Sequence, residues 1–273
     1  MAEKSTIQKA RAIVTGASSG IGKAYGQRLA RNGVDLLLIA RRKDTIATLA
    51  EDLSNTYKIR AEHLTADLAT EKGITAVQKA IDEGPPVSWL VCAAGFGTRG
   101  LFVNVDTQQV IRMTRLHVEA NARLVRAALP EMLRNRNGRI VLLSSLSSFL
   151  TTAHYVNYSA TKAYINMFAR GLRAELVGTG VIVQALCPGL TKTEFFNTDE
   201  FKDFKYDGVP AWAWMSPEEV VDESMRAVKA KNPAPVFVPG LANKTFMAVM
   251  NSPGLGAAVR AGLDVLARKR KLY

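Results

Sequence analysis

The chain has few of the residues that mark disulfide-linked or cysteine-ligated metal proteins. Of its 273 residues only two are cysteine, Cys92 and Cys187, and three are histidine. Both cysteines lie inside apolar, strand-like runs, which is not the pattern of a disulfide framework or of a cysteine-type metal site. We therefore expect no metal and a reducing compartment.

Long apolar runs are also missing. No uninterrupted run approaches the roughly 20 residues of a transmembrane helix, and the N-terminal segment 1–8 carries no apolar signal region. The hydrophobic fraction is nevertheless 48% and the charged fraction 22%, values typical of a packed core. These features predict a soluble, cytoplasmic protein.

Acidic residues are outnumbered, and the formal net charge is +12. Such a balance can indicate a nucleic acid, a membrane surface or an anionic ligand as partner. The basic residues are mostly scattered, and the cluster at 268–271 lies in the tail of the chain, where a solvated role is the usual one. Since no recognised nucleic-acid module accompanies it, we expect no nucleic-acid partner.

Short apolar runs alternate with helical patterns along most of the chain. The strand runs are continuously apolar, which is typical of a parallel sheet covered on both faces. We predict strands at 10–15, 34–40, 61–66, 87–92, 139–143, 181–186 and 235–239, and helices at 20–32, 44–57, 70–83, 106–135, 157–177 and 216–231. This is an α/β fold with a doubly wound parallel sheet of about seven strands. Without linkers or repeats, residues 1–240 form one domain and 241–273 its C-terminal helical extension.

A glycine-rich turn, Thr15–Gly22, lies between the first predicted strand and the first predicted helix. Its spacing is G-x-x-x-G-x-G rather than the standard dinucleotide fingerprint. Glycines here permit a tight turn, a close backbone approach to a pyrophosphate, and close packing of helix on strand. An ordinary glycine-rich turn is the alternative, but the context favours a nucleotide held by Gly16, Ser18, Ser19, Gly20, Ile21 and Gly22.

The residues after the next two strands bear on the choice of nucleotide. An acidic residue at the end of the second strand would bind the ribose hydroxyls of NAD, but this chain has Arg41 and Arg42 there. An arginine pairs with the 2′-phosphate of NADP, although two arginines can also simply begin a helix. We expect NADP(H), with Arg41 the better candidate. Asp67, followed by Leu68, either accepts from the adenine amino group or caps the next turn.

A tyrosine and a lysine, Tyr158 and Lys162, are four residues apart in a predicted helix, and Ser145 follows the fifth predicted strand. One helical turn places the ammonium beside the phenol. An adjacent ammonium lowers the pKa of a phenol from about 10 and makes it a usable acid and base. Ser145 could bind a carbonyl oxygen. The pair also occurs by chance in many helices, but the glycine turn upstream favours catalysis.

The two motifs in this order resemble those of the short-chain dehydrogenase/reductase family. The resemblance covers about residues 8–240 and also includes Asp67, Ala94–Gly95 and Pro188–Gly189. It implies a Rossmann-like domain that binds NAD(P) at the carboxyl ends of the strands. It also implies hydride transfer between nicotinamide and a carbonyl or alcohol.

The resemblance assigns roles to individual residues. Tyr158 would be the catalytic acid and base, Lys162 its pKa tuner and a ribose ligand, and Ser145 the group that polarises the carbonyl. Further cofactor contacts would come from Ala94, Gly95, Pro188, Gly189, Thr191 and Thr193.

The chain departs from the family pattern at two places. Cys92-Ala93-Ala94-Gly95 replaces Asn-Asn-Ala-Gly, so an amide that ties this loop to neighbouring strands is lost. His117 stands where the family places an asparagine that holds a water leading from the lysine. Either His117 replaces it in a proton relay, since imidazole donates and accepts, or it is an exposed or packed helix residue. Asn121, one turn on, is not expected to be catalytic.

The segment between Pro188 and Ser216 is rich in aromatic residues. They predict an apolar substrate pocket under a lid, or packing of that segment on the domain. The pocket would favour a 3-oxoacyl, steroid-like or aromatic carbonyl over a sugar, with Phe96 and Arg99 at its border. The large side chains are Phe195, Phe196, Phe201, Phe204, Tyr206, Trp212, Trp214 and Met215.

Two other functions stay open: an NADP-binding regulatory protein without turnover, and an isomerase or dehydratase on the same fold. We expect a homodimer or homotetramer. The tail 241–273 is rich in methionine and leucine, then basic. Covering the pocket, packing in an oligomer interface and touching a membrane surface are its alternative roles.

Overall fold

One parallel sheet organises the molecule. The computed structural model describes residues 9–150, 153–196, 209–254 and 256. Seven strands within these residues pair in the order β3-β2-β1-β4-β5-β6-β7, all parallel, which confirms the predicted doubly wound α/β class. The strands are β1 Arg11–Thr15, β2 Asp35–Ala40, β3 Ala61–Thr65, β4 Val87–Cys92, β5 Gly138–Leu143, β6 Val181–Leu186 and β7 Val236–Phe237.

Helices cover both faces of this sheet. Residues of α3, α5 and α6 join one buried apolar cluster, and residues of α1, α2 and α7 join the other. Alternate residues of β1 point to the two clusters, Ile13 to the first and Val14 to the second, which explains why the strand runs are continuously apolar. The helices are α1 Gly20–Arg31, α2 Lys43–Tyr57, α3 Glu71–Glu83, α4 Thr107–Thr114, α5 Asn121–Arg134, α6 Val156–Glu175, α7 Pro217–Val228 and α8 Leu241–Asn251.

The predicted single helix over 106–135 is interrupted. A π-helical turn, Arg115–Ala120, joins α4 to α5 and contains His117. Asn121 lies at the end of this turn, and its Nδ2 donates to the carbonyl oxygen of His117 at 2.9 Å. Such turns are rare and often occur at functional sites, because they rotate the following side chains relative to a regular α-helix.

The end of the chain agrees with the predicted pattern where it is described. A helix, α8, follows Gly240 as expected, while most of the tail, 257–273, lies outside the described residues. In the described part of the chain, no helix has both the length and the apolar character needed to cross a bilayer.

The parallel order brings the carboxyl ends of β1, β4, β5 and β6 to one edge of the sheet. The segments that leave this edge are the glycine turn, the loop that starts at Cys92, the loop that contains Ser145 and the loop that starts at Cys187. Sequence motifs that lie far apart in the chain therefore meet at this edge.

Candidate active site

The glycine turn after β1 is shaped by contacts that leave no room for a side chain at Gly16 or Gly22. Gly16 has φ +67°, and a Cβ there would lie 2.7 Å from the backbone nitrogen of Ala94. A Cβ at Gly22 would lie 2.3 Å from the carbonyl oxygen of Gly16. Both positions require glycine, since a side chain would push the turn away from β4 or from its own backbone.

A cavity of about 560 Å³ opens beside this turn, lined among others by Ser18, Ser19, Lys23 and Lys192. The N-terminus of α1 faces it, and the Ser19 side chain makes no capping hydrogen bond there. The first backbone N–H groups of a helix and nearby ammonium groups attract anions. The residues of the turn therefore fit a pyrophosphate.

Of the two arginines after β2, Arg42 is the one held against the glycine turn. Its guanidinium donates to Ser18 Oγ at 3.2 and 3.0 Å. It also forms an ion pair with Glu194 at 2.9 Å. Arg41 is exposed and acts electrostatically on Asp67. The sequence favoured Arg41 for a 2′-phosphate, whereas the contacts place Arg42 closer to the turn.

Asp67 is fixed by two partners. Its Oδ1 accepts from the Ala69 backbone at 3.0 Å, and its Oδ2 pairs with Arg112 at 2.9 Å. Burial alone would raise the pKa of this carboxyl, but the Ala69 and Arg112 hydrogen bonds outweigh burial and hold the pKa below its usual value. Asp67 thus caps the following turn, and Leu68 beside it is buried.

Ser145, Tyr158 and Lys162 meet at the carboxyl edge, as the sequence predicts. Lys162 Nζ lies 5.6 Å from the centre of the Tyr158 ring and donates to the Leu143 carbonyl oxygen at 2.6 Å. The Ser145 side chain is near enough to the Tyr158 phenol to oppose, as a hydrogen-bond donor, the rise in its pKa. Ser145 Oγ also accepts from the Ser147 backbone at 3.1 Å. The serine and the tyrosine can therefore bind one oxygen atom together.

The pKa of Tyr158 departs from the sequence expectation. Burial raises it to about 12, and the hydrogen bond from Ser145 opposes this change only in part. Burial also lowers the pKa of Lys162 to about 7. Lys162 was expected to lower the tyrosine pKa, but its Nζ is bonded to Leu143, and the cost of burying a phenolate is the larger effect here.

His117 is completely buried next to these residues, so the expectation of an exposed helix residue is excluded. Its Nδ1 lies 2.9 Å from Thr161 Oγ1, and the Thr161 hydroxyl donates to the Tyr158 carbonyl oxygen at 2.9 Å. Because that hydroxyl has one proton, it accepts from His117, and Nδ1 carries the imidazole proton. Burial, and then the charge of Lys162, hold the pKa of His117 well below its usual value.

The second nitrogen of His117, Nε2, points into the site. It is buried without a hydrogen-bond partner among the described residues. A Cβ on Gly95 would lie 3.0 Å from this nitrogen and 3.7 Å from Lys162 Nζ. Glycine at position 95 therefore lets the loop after β4 pack between the histidine and the lysine.

The loop after β4 is held despite the missing asparagine. The backbone nitrogen of Ala94 donates to Thr15 Oγ1 at 3.2 Å. The Thr15 side chain is buried at the end of β1. A threonine hydroxyl on the neighbouring strand thus provides a tie between this loop and the sheet.

The loop after β6 returns alongside the segment before α7. Thr191 and Met215 form an isolated parallel bridge, and Thr191 Oγ1 donates to the Gly189 carbonyl oxygen at 3.1 Å. Pro188 accepts from the Leu146 backbone at 3.0 Å. Thr193 lines the cavity beside the glycine turn, which agrees with a cofactor role.

Aromatic rings extend from Tyr158 into this loop. Ring centres are separated by 5.8 Å between Tyr158 and Phe195, 5.2 Å between Phe195 and Phe196, and 5.8 Å between Phe196 and Trp214. Phe96 lies 6.1 Å from His117 on the opposite loop. Three predicted pocket residues, Phe201, Phe204 and Tyr206, lie outside the described residues.

The sequence analysis did not predict a role for three residues that lie near the site. Thr161 fixes His117, and Glu194 pairs with Arg42. Asn166 donates to Ser148, which in turn donates to the Ser145 carbonyl oxygen. The spacing could have indicated Asn166, since it follows Tyr158 and Lys162 at intervals of four on α6. The contacts of Thr161 and Glu194 join distant segments and leave no periodic signal.

Comparison with known proteins agrees with this geometry. Residues 10–202 match the family described as short chain dehydrogenase. An uncharacterized oxidoreductase of Bacillus subtilis, YmfI, is 36% identical over 214 residues, which are 77% of this chain and 88% of that protein. A human protein named inactive hydroxysteroid dehydrogenase-like protein 1 is 30% identical over 70% of this chain, which spans 58% of that protein.

Solved structures share the fold along most of the chain. A short-chain dehydrogenase from Sphingobium yanoikuyae in complex with NADPH has 29% identity and a TM-score of 0.77, covering 94% of this chain and 95% of its own. A bulky-bulky ketone specific alcohol dehydrogenase from Comamonas testosteroni has 29% identity and a TM-score of 0.74, covering 88% and 92%.

Proposed function

Because the chain belongs to the short-chain dehydrogenase family, we propose that it is an NADP(H)-dependent oxidoreductase that reduces an apolar ketone or aldehyde to an alcohol. The observation that carries this proposal is the meeting of Ser145, Tyr158 and Lys162 at the sheet edge that also carries the glycine turn. These three side chains lie on α6 and on the loop after β5. Their arrangement suits acid–base chemistry at a carbonyl group.

Ser145, Tyr158 and Lys162 would each have a separate role in the reduction. Bound NADPH would supply the hydride that the carbonyl carbon receives. Ser145 and Tyr158 bind the carbonyl oxygen, and Tyr158 gives its proton to that oxygen as negative charge develops there. Lys162 would bind the cofactor ribose. The developing alkoxide is a stronger base than the Tyr158 phenolate, so transfer of the phenol proton becomes favourable at the moment of reaction even with the raised pKa of Tyr158.

His117 has a defined part in this scheme. Since Nδ1 donates to Thr161, the Nε2 lone pair is left as an acceptor. It faces the same space as Lys162 Nζ beside Gly95. Nε2 would accept a hydrogen bond from a water molecule beside Lys162, and that water would pass a proton to the lysine, which returns it towards Tyr158 after each turnover.

The cofactor preference follows from the charges beside the glycine turn. Arg42 lies against Ser18 and can exchange its ion pair with Glu194 for a 2′-phosphate. Arg41 adds a second positive charge at the end of β2. The structure from Sphingobium yanoikuyae, which is described with NADPH, supports the choice of NADP(H).

The aromatic rings around Tyr158 support a bulky, apolar substrate. Phe195, Phe196 and Trp214 continue outward from the tyrosine, and Phe96 lies on the other side. Such walls favour aromatic, steroid-like or acyl carbonyls over sugars, whose hydroxyls would lose water without gaining partners. The name of the Comamonas testosteroni enzyme, which is specific for bulky-bulky ketones, supports the same class.

The outer face of α6 supports a homodimer or homotetramer. Val156 is 53% exposed and Met167 is 68% exposed on this helix, whose other side carries Tyr158 and Lys162. Apolar side chains grouped on one helix face favour an interface with a second copy. A Met167→Asp variant should sediment as a smaller species than the wild-type protein, and an unchanged sedimentation coefficient would place the interface elsewhere.

One assay tests the proposed reaction. A panel of apolar ketones is offered with NADPH or NADH, and loss of cofactor absorbance is followed. We expect turnover with NADPH, whereas NADPH binding without turnover on any carbonyl would favour the regulatory alternative; the human relative is itself named inactive. Product formed without cofactor consumption would indicate an isomerase or dehydratase.

A further inference from the structure

A chain of hydrogen bonds runs through the protein behind Ser145. Cys187 Sγ donates to Asn166 Oδ1 at 3.2 Å, and Asn166 Nδ2 donates to Ser148 Oγ at 2.7 Å. Ser148 Oγ in turn donates to the Ser145 carbonyl oxygen at 2.5 Å. Cys187 is completely buried, and Asn166 is only 7% exposed. None of Cys187, Asn166 and Ser148 has a place in the reaction scheme above.

Every hydrogen bond in this series donates in the same direction, from Cys187 towards Ser145. Burial raises the pKa of Cys187 to about 11, so the thiol keeps its one proton and donates it. Its nearer acceptor is Asn166 Oδ1 at 3.2 Å, since the Ala185 carbonyl oxygen lies 3.8 Å from Sγ. Its bond to Oδ1 fixes which way the Asn166 amide is turned, and the amide then donates to Ser148. The hydroxyl of Ser148 then donates to the Ser145 carbonyl oxygen, where this chain of hydrogen bonds ends.

Ser145 is thereby held at two points. Its carbonyl oxygen receives the Ser148 hydroxyl and the Ser148 backbone N–H, the latter at 3.0 Å. Its side-chain oxygen receives the Ser147 backbone N–H at 3.1 Å. Loss of the Ser148 hydroxyl would leave the Ser145 carbonyl oxygen with the Ser148 backbone N–H alone, and the looser backbone would let the side chain turn away from Tyr158.

The same series of hydrogen bonds joins Ser145 to α6, the helix that carries Tyr158 and Lys162. Asn166 follows Lys162 by one turn of α6, and Ser144 Oγ donates to the Lys162 carbonyl oxygen at 2.9 Å. The loop after β5 is therefore tied to α6 at Lys162 itself and one turn further on, at Asn166. These ties set the distance between Ser145 and Tyr158.

We propose that Asn166 is a positioning residue, which acts through Ser148 to hold Ser145 in place for carbonyl binding, with Cys187 fixing the orientation of its amide. This proposal rests on the reductase function proposed above. It differs from simple satisfaction of buried polar groups, because it requires that the effect of Asn166 on turnover passes through Ser145. Placement of a reacting group to within about 0.5 Å is the level at which rates respond.

A double-mutant cycle tests this dependence. We expect Asn166→Leu and Ser148→Ala each to lower kcat about tenfold while the Kd for NADPH stays within about twofold. In a Ser145→Ala background, either change should lower kcat by less than about twofold. Cys187→Ala should lose activity that Cys187→Ser restores, because serine keeps the donor. Equal losses in both backgrounds, or no loss in either, would overturn the proposal.

Ser224→Ala is the matched control. Ser224 is also completely buried and joins Tyr25 to Gln184 in a polar group beside α1 and α7, without contact to Ser145. It should lower the melting temperature but leave kcat unchanged. If Asn166→Leu fails to fold, Ser148→Ala, which removes one oxygen atom, carries the same test.

A crystal structure of Ser148→Ala separates this proposal from the proposed function. If the wild-type protein turns over no carbonyl, the reductase function fails, but the geometry can still be compared. We expect Ser145 Oγ to move more than about 0.5 Å from its wild-type position relative to Tyr158. An unmoved Ser145 would show that the chain of hydrogen bonds does not hold it.

Discussion

His117 Nδ1 lies 2.9 Å from Thr161 Oγ1, and the Thr161 hydroxyl donates to the carbonyl oxygen of Tyr158. Thr161, the residue before Lys162, thus decides which nitrogen of the buried imidazole carries its proton. The consequence is an acceptor nitrogen that faces Lys162 across Gly95. Replacing His117 tests whether this nitrogen contributes to turnover.

A His117→Phe variant should lower kcat about tenfold, because phenylalanine fills the space but has no acceptor for the lysine side. His117→Asn should lose less, since its amide oxygen can still accept. The comparison is made by steady-state kinetics with saturating NADPH. Equal kcat values for wild type and His117→Phe would show that the histidine only packs in the core.

Tyr158→Phe should lower kcat by about a thousandfold, since general acid catalysis of this kind contributes roughly 10²–10⁴ in rate. The Kd for NADPH should stay within about twofold in a fluorescence titration, because the phenol hydroxyl mainly serves the substrate. Tyr164→Phe, on the outward side of the same helix, is the control with unchanged turnover. Substantial activity in Tyr158→Phe would assign the proton to another group.

Arg42→Ala should raise the KM for NADPH about tenfold and leave the KM for NADH unchanged, because a charge-assisted contact to the 2′-phosphate is lost. Arg41→Ala should have the smaller effect, since only Arg42 is held against Ser18 among the contacts described for this pair. The ratio of kcat/KM for the two cofactors measures the preference. A ratio unchanged in both variants would contradict the phosphate role of either arginine.

The buried lysine predicts a dependence of stability on pH. Lys162 has a pKa of about 7 in the folded protein against 10.5 as its ordinary value. Between these pH values the unfolded chain binds one more proton at this residue than the folded chain does. The free energy of unfolding contributed by Lys162 therefore rises as pH rises through this window. Urea unfolding of wild type and Lys162→Met at several pH values isolates this contribution, and parallel pH profiles would contradict it.

Gly22→Ala should abolish measurable NADPH binding and lower the melting temperature. Its Cβ would lie 2.3 Å from the Gly16 carbonyl oxygen, so the glycine turn must open. Gly33→Ala is not a suitable control because of its positive φ, whereas Gly171→Ala in α6 meets nothing within 4 Å. Gly171→Ala should leave binding intact, and retained binding in Gly22→Ala would refute the role of the turn.

Local patterns in the chain were enough to predict the fold class and the motifs that meet at one edge of the sheet. Continuous apolar strands alternating with helices specify the parallel sheet, because each residue's environment repeats along its own element. The glycine spacing and the four-residue interval between Tyr158 and Lys162 are likewise local. The structure places these motifs at one edge of the sheet as predicted.

Contacts between distant segments were decided only by the tertiary structure. The sequence predicted one continuous helix where a π-helical turn carries His117 into the core. It could not show that burial outweighs Lys162 in setting the pKa of Tyr158. Nor could it show that Asn166 connects Cys187 to Ser148. Hydrogen-bond direction and desolvation depend on which atoms are in contact at the sheet edge. Those contacts join residues that are distant in sequence, so no periodic pattern in the chain predicts them.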